Sequence, residues 1–318
     1  MKLSCAAVAL FVLLVADRSA AEAACTIQAA SNSAFGPATS FVVRDVALEG
    51  STTNAGLVCS GAILSVLGTG DHVYATIVSA NGGLLGPGGD VVPYSLYGDS
   101  TTSYPIPWGV TYDYASGQLL NLLGLFGGPA TALPLFFRTA AGANVAAGVY
   151  TDTITIDWSW DYCTGIGIFG ICLGRDTGSG QSTFTVTLTV TDTCAVTSTP
   201  DVAFGQAPLP SVFPEITQSI GVVCTKGLAG YTVGIDAGQH PSGGARRMAG
   251  NGHYLVYELL KDDGQSTWGQ TGGDRVSPPG PADGITPQLL PYRARVSPLQ
   301  PAPPPGTYQD VLIVDVTF

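Results

Sequence analysis

The chain has 318 residues, a net charge of -11 and only 11% charged residues, so it lacks the basic patches that draw proteins to nucleic acid or anionic membranes. With 45% of its residues apolar it has ample material for a core, which excludes a disordered chain. Its 42 glycines and 22 prolines favour short elements separated by turns.

Residues 1–23 have the form of a secretory leader: Lys2, an apolar run over 6–16, then Ala21-Glu22-Ala23 as a small-residue cleavage site. The run is too short to span a bilayer, so the sequence predicts an exported chain. Seven cysteines are present, and setting Cys5 aside with the leader leaves Cys25, Cys59, Cys163, Cys172, Cys194 and Cys224. An even set in an exported protein predicts disulfides.

Beyond the leader, apolar residues recur with period two between Gly, Pro, Asn-Gly and Asp-Gly punctuation, and sustained helical periodicity is almost absent. The clearest predicted strands are 73–79, 149–160, 183–191, 230–236, 254–260 and 308–318. Strands so spaced predict an all-β fold of two tandem immunoglobulin-like β-sandwich domains, over 24–191 and 192–318.

An internal repeat underlies that division. Ala34-Phe35-Gly36 follows Cys25 at the offset at which Ala203-Phe204-Gly205 follows Cys194. Cys59 and Cys224 close the two opening segments, so the repeat pairs Cys25 with Cys59 and Cys194 with Cys224, leaving Cys163 with Cys172. Each half ends alike, with Gly148-Val149-Tyr150-Thr151-Asp152 and Gly306-Thr307-Tyr308-Gln309-Asp310 leading into an alternating strand. In those strands Tyr308, Leu312, Val314, Val316 and Phe318 match Tyr150, Ile154, Ile156, Trp158 and Trp160, and both faces should be core. Only Asp192 and Thr193 separate the domains, which predicts a stiff joint. The proline-rich stretch 277–306 predicts loops or edge strands.

The repeat breaks at one place. After 149–160 the chain lays down a further strand in which Phe184, Val186, Leu188 and Val190 alternate with threonines, and after 308–318 no such strand follows. The expectation is a first sandwich closed from within and a second lacking its final strand, with an apolar groove beside Tyr308, Leu312, Val314, Val316 and Phe318.

The second half carries Cys224-Thr225-Lys226-Gly227, Gly230-Tyr231-Thr232-Val233, Arg246-Arg247-Met248, Leu255-Val256-Tyr257-Glu258-Leu259, Trp268-Gly269 and Gly306-Thr307-Tyr308-Gln309-Asp310. In combination these resemble the spore coat protein U domain over 194–318. In the first half the resemblance covers mainly 25–59 and 148–160; its Arg-Met and Trp-Gly motifs are not recognisable, so the middle has diverged. The family supplies subunits of archaic chaperone-usher pili as well as secreted coat proteins. The resemblance implies a C-terminal pilin domain that accepts a donor strand from an adjacent pilin subunit, with a periplasmic chaperone and an outer-membrane usher as partners. Residue 24 leads straight into the repeat's first landmark, so no donor extension is expected. A subunit that accepts without donating resembles a two-domain tip adhesin, at the pilus tip on the cell surface.

Three segments of the diverged domain are apolar where loops are usually polar, each flanked by glycine. They contain Leu84 and Leu85; Leu119, Leu120, Leu122, Leu123, Leu125 and Phe126; and, between Cys163 and Cys172, Ile166, Ile168, Phe169 and Ile171. Glycine on both sides favours finger-like loops over regular structure. Together they predict a hydrophobic tip that attaches to hydrophobic or abiotic surfaces and supports biofilm formation.

Other readings are weaker. His72, His240 and His253 are scattered, and no metalloprotease, nucleophile-elbow or phosphate-loop pattern occurs, so no enzyme, cofactor or metal is expected. Asp157 and Asp161 flank Trp158 and Trp160 as a sugar-cleaving site would, but these tryptophans fall on the core face. A lectin-like tip using Trp108, Tyr112 and Tyr114 is the main alternative, and a secreted coat-type structural protein a third.

Overall fold

The computed structural model describes residues 25–59, 71–114, 131–168 and 171–318, without the side chains of 131 and 163–173. It is all-β. The first half contains β1 (Cys25–Ile27), β2 (Ser33–Thr39), the helix α1 (Ser40–Asp45), β3 (Glu49–Thr52), β4 (Leu57–Cys59), β5 (His72–Ser79), β6 (Leu84–Leu85), β7 (Val91–Val92), β8 (Tyr94–Tyr97), β9 (Pro105–Ile106), β10 (Thr111–Asp113), β11 (Thr131–Ala132), β12 (Leu135–Thr139), β13 (Gly148–Ile168) and β14 (Ile171–Thr191). The second half contains β15 (Cys194–Ser198), β16 (Ile216–Cys224), β17 (Thr232–Ile235), β18 (Arg246–Gly250), β19 (His253–Lys261), β20 (Gln288–Val296) and β21 (Val314–Thr317).

Each half has its own core: one cluster draws on residues between Cys25 and Val190, the other on residues between Ile220 and Val296. The first core lies beneath a sheet ordered β10-β5-β13-β14-β2, faced by β1-β4-β11 and β3-β12-β8-β9. The second lies between β15-β16-β20-β19-β18 and the pair β17-β21. Cys25 faces Cys59 across β1 and β4, and Cys194 faces Cys224 across β15 and β16; both pairs are disulfides, as the repeat predicts. The side chains of Cys163 and Cys172 lie outside the described residues.

The added strand β14 is seated between β13, antiparallel, and β2, parallel. Its inward face is Phe184, Val186, Leu188 and Val190, each at most 3% exposed. Further along, the same face carries Ser182, Gly180 and Gly178 because larger groups from elsewhere fill the space. A Cβ at Gly178 would stand 2.3 Å from the Trp160 ring, and one at Gly180 would stand 2.6 Å from Ile27. Trp158 and Trp160 are core, at 2% and 7% exposure.

Two strand expectations need correction. In the predicted strand 308–318 only Val314–Thr317 forms a ladder, and Phe318, which follows the last pair Thr232↔Thr317, is 60% exposed rather than core. The stretch 277–306 contains a central strand, β20, held between β16 and β19. Its Pro291 lies just past the last β19 partner pair, Lys261↔Tyr292, so the side toward β19 makes no demand on the missing amide.

The halves meet at a polar joint. Ser40 Oγ lies 2.8 Å from Thr225 Oγ1, Arg44 donates to the Gly284 carbonyl, Asn144 donates to the Asp283 carbonyl, and Ala146 forms a parallel bridge with Lys226. Lys226 Nζ donates to Asp90 Oδ1 at 2.5 Å. Burial alone would raise the Asp90 carboxyl, but the hydrogen bonds from Lys226 and the Ala146 amide, with the lysine's charge, hold it below the usual carboxylate range.

That shift fixes a pH dependence. A carboxylate with a depressed folded pKa stabilises fully above its unfolded value, about 3.9, and ceases to do so as the pH falls through the folded value. Lys226→Met should therefore lower the melting temperature modestly at neutral pH, because Lys226 is half exposed, and the gap from wild type should close as the pH drops below about 4. Melting curves against pH for the two proteins check this; a gap that persists in acid would show that the ion pair is not its source.

Candidate functional site

Two features stand out: a groove in the second half and an arm on the first. The groove has a volume of about 450 Å³. Residues 199–202 and Phe204 form one lip, and Tyr308 to Leu312 with Val314 form the other. Ile220, Ile235, Met248, Tyr257, Leu259 and Tyr292 line the interior. Of the predicted groove residues, Tyr308, Leu312 and Val314 line it. Val316 packs on the core instead, and exposed Phe318 does neither.

The first half shows the same two lips with a strand between them. Phe35 on β2 matches Phe204, and β13 matches the 308–317 segment. Phe35 stands edge-on to Tyr94 at 6.2 Å, as Phe204 lies beside Tyr257 at 6.4 Å. Tyr94 donates to Asp152 Oδ2 at 2.8 Å, and Tyr257 to Asp310 Oδ2 at 2.6 Å. Burial, then the neighbouring carboxylate, pushes both phenols far above their ordinary pKa, so they stay protonated donors. Between the lips of the first half runs β14; among the described residues no strand occupies that position in the second.

The arm is the outer end of β13 and β14. Pairing of β13 with β5 ends at Asp161↔His72, yet the β13–β14 ladder continues to Ile168↔Ile171. Seven further residues at strand rise carry a two-stranded ribbon about 20 Å past the sheet. Its root is tied down: Asp176 accepts from the Cys25 amide and Trp160 Nε1, and Arg175 pairs with both Asp161 and Asp71. Of the glycines between Cys163 and Cys172, Gly167 pairs with Cys172 within the ladder, which shifts register once between Cys163 and Ile166.

The structure places Leu84 and Leu85 away from this tip. Leu84 is fully buried in the core, and Leu85 pairs with Thr151 near the opposite end of β13, about 55 Å of strand from Ile168. Leu84 is thus removed from the contact set, and Leu85 belongs to the joint's end of the domain. Residues 119–126 and Phe169 lie outside the described residues, as do the side chains of Ile166, Ile168 and Ile171. The residues flanking 115–130 are placed, however. The Tyr114 amide bonds to the Val73 carbonyl and Thr131 pairs with Cys59, both at the level of the arm's root. Cys59 and Asp71 also bracket 60–70, a segment outside the described residues and absent from the predicted set. Its Ile63, Leu64, Val66 and Leu67 between Gly61 and Gly68 carry the signature that marked the others.

Of the three aromatics of the sugar-binding reading, Tyr114 is fully buried beside Trp158, with ring centroids 5.9 Å apart, whereas Trp108, edge-on to Tyr94, and Tyr112 are half-buried.

The Spore Coat Protein U domain model matches residues 9–157 and 181–315. The chain belongs to the Spore Coat Protein U domain family. No protein of curated function matches it. A chain in the crystal structure of the CsuC-CsuE chaperone-tip adhesion subunit pre-assembly complex, from the archaic chaperone-usher Csu pili of Acinetobacter baumannii, is similar over 93% of this chain and 100% of that one. Identity is 23% and the TM-score 0.60, which shows a shared fold. The CupB6 tip adhesin from Pseudomonas aeruginosa aligns over 93% and 94% of the two chains at 12% identity, with a TM-score of 0.31.

The two leucines of this family member give a direct check on their placement. Leu84→Asp should abolish soluble expression, since a buried carboxylate has no partner there, whereas Leu85→Asp, at a 41% exposed site, should be expressed and fold like wild type. A soluble Leu84→Asp chain with wild-type melting would show that this side chain is not core.

Proposed function

We propose that this chain is the tip adhesin subunit of an archaic chaperone-usher pilus, exported by its leader through the periplasm to the cell surface. The N-terminal domain over 24–191 attaches to hydrophobic or abiotic surfaces and so promotes biofilm formation. The C-terminal domain over 192–318 is the pilin domain. It joins the fibre by taking a donor strand from the adjacent pilin, after a periplasmic chaperone has held it for the usher. The role is binding rather than catalysis, with no cofactor or metal.

One observation carries this reading: the lips that clasp β14 in the first half line a groove in the second. Strand addition to an open sheet supplies main-chain hydrogen bonds for affinity and pockets for alternate side chains. β14 shows what such a strand looks like when seated, with Phe184, Val186, Leu188 and Val190 inward and threonines outward.

The arm supports the attachment role. It projects from the end farthest from the joint, and Ile166, Ile168 and Ile171 are among its residues. Burying one such side chain is worth about 1.5 to 3 kcal/mol, so partial embedding of several, multiplied over many pili, gives firm adhesion without a specific receptor.

Both parts are testable. Appending residues 182–191 after Phe318 through a flexible linker should convert a chain that needs a chaperone into a soluble monomer; an unmodified chain already monomeric and cooperatively folded would sink the donor-strand reading. Ile168→Asp combined with Phe169→Asp should leave secretion and assembly intact while sharply reducing attachment to hydrophobic plastic. Normal attachment by the assembled double variant would remove the arm from the adhesive surface.

A further inference from the structure

The connection that leads into each terminal segment is of similar length in both halves: eight residues lie between Thr139 and Gly148, and nine between Val296 and Gly306. One hydrogen bond aligns the two connections: Tyr150 donates to the Ala146 carbonyl at 2.7 Å, and Tyr308 donates to the Pro304 carbonyl at 2.7 Å. In the first half this connection is the joint itself. Asn144 donates to Asp283, Ala146 bridges to Lys226, and Val145 is 2% exposed.

Its counterpart in the second half is laid open. Leu299 is 96% exposed, the highest value among the large exposed hydrophobic side chains. The loop around it is nonetheless built. Gln300 accepts from the Val256 amide and donates to the carbonyls of Val256 and Ser297, each at 2.8 Å, imitating one rung of a ladder on β19. Prolines at 298, 301, 303, 304 and 305 restrict φ along the rest, so little conformational freedom remains to be lost on docking.

We propose that the loop 297–305, led by Leu299, is where the folded body of the next subunit in the fibre seats itself, a contact separate from the donor-strand groove. This rests on the pilus reading above. The occupant is a second β-sandwich domain because the aligned loop of the first half already docks one, and it reaches this end of the chain because the donor strand must enter beside Tyr308. The chemistry of the two joints differs. Proline at 304 stands where the Ala146 amide donates to Asp90 and has no amide to give, so this loop lacks the polar anchor of the first joint and meets its occupant with an apolar ridge led by Leu299.

The test places a photoreactive benzoylphenylalanine at position 299, and separately at Val311 on the groove's lip, in the full chain within assembled fibres. Both probes should capture the same pilin: position 311 its extended donor segment, position 299 its folded body. Leu299→Glu should cut capture from a third probe at position 304 by about tenfold or more while leaving capture from 311 unchanged. Leu299→Met should restore it. Capture at 311 with none at 299, or with only the chaperone or usher at 299, overturns the docking loop and leaves donor-strand assembly standing. Capture of a pilin at neither position overturns the pilus reading and this inference with it.

Discussion

A sandwich of this topology leaves a slot between its opening strand and its terminal strand, and that slot must be filled by an extended segment with alternate apolar side chains. In the first half the demand is met locally: β14 doubles back along β13 and also clasps β2 in parallel. Its core face grades from Val190, Leu188, Val186 and Phe184 through Ser182 to Gly180 and Gly178, following the room left by Trp160 and Ile27. In the second half the same lips, which carry polar groups such as Asp201 and Asp310, frame a trough floored by Ile220, Leu259 and Tyr292. An open edge of this kind associates with any complementary strand it meets, which is why its occupant must be specified.

The lips are held in place independently of what lies between them. In both halves a tyrosine from one sheet donates to an aspartate at the start of the terminal segment, and a tyrosine two residues earlier in that segment donates back to the carbonyl four residues upstream. Asp152 also accepts from Ser79 Oγ and the Asn81 amide, and Asp310 from the Gln239 amide. A nearly buried carboxylate with several donors is costly to disturb by removing any one partner. This lock fixes the register at which a filling strand meets the terminal strand, and it also fixes the loop just upstream, where the joint forms. Groove and joint are thereby linked through a single hydrogen-bonded corner.

Much of this was legible because period two is a strong signal over a long run. The alternation in 183–190, the disulfides implied by the repeat and the buried Trp158 and Trp160 all follow from it. Shorter features carry no period. Leu84 and Leu85 make a two-residue strand whose side chains point to opposite faces, so a leucine pair that looks like an apolar loop places one residue in the core and one outside. Between Cys163 and Cys172 the glycines mask a ladder that exists because each strand has the other as a partner, a tertiary fact that local propensity does not hold. Pro291 marks its strand as an edge by composition, although the strand is central. The joint was invisible for another reason: Ser40, Arg44, Asp90 and Asn144 are ordinary polar residues whose partners lie more than a hundred positions away.

The ladder also joins the two ends of the first half. β13 and β14 each run 21 residues from the joint to the arm, with one register shift between Cys163 and Ile166, so the ribbon beside Gly148, packed on Pro87, leads into the ribbon that ends at Ile168 and Ile171. Load applied at the arm passes along paired strands rather than through loops. At the joint it meets an array of hydrogen bonds from α1, the Asp90 turn and the 140–147 connection, which reach the second half at the spatially separate segments 225–226 and 283–284. Contacts spread over two segments resist bending better than the two-residue linker could alone. The apolar end of the chain is therefore carried on a beam whose stiffness comes from the same strand that completes the first core. A substitution that loosens β14 in its slot should soften the arm and the joint together.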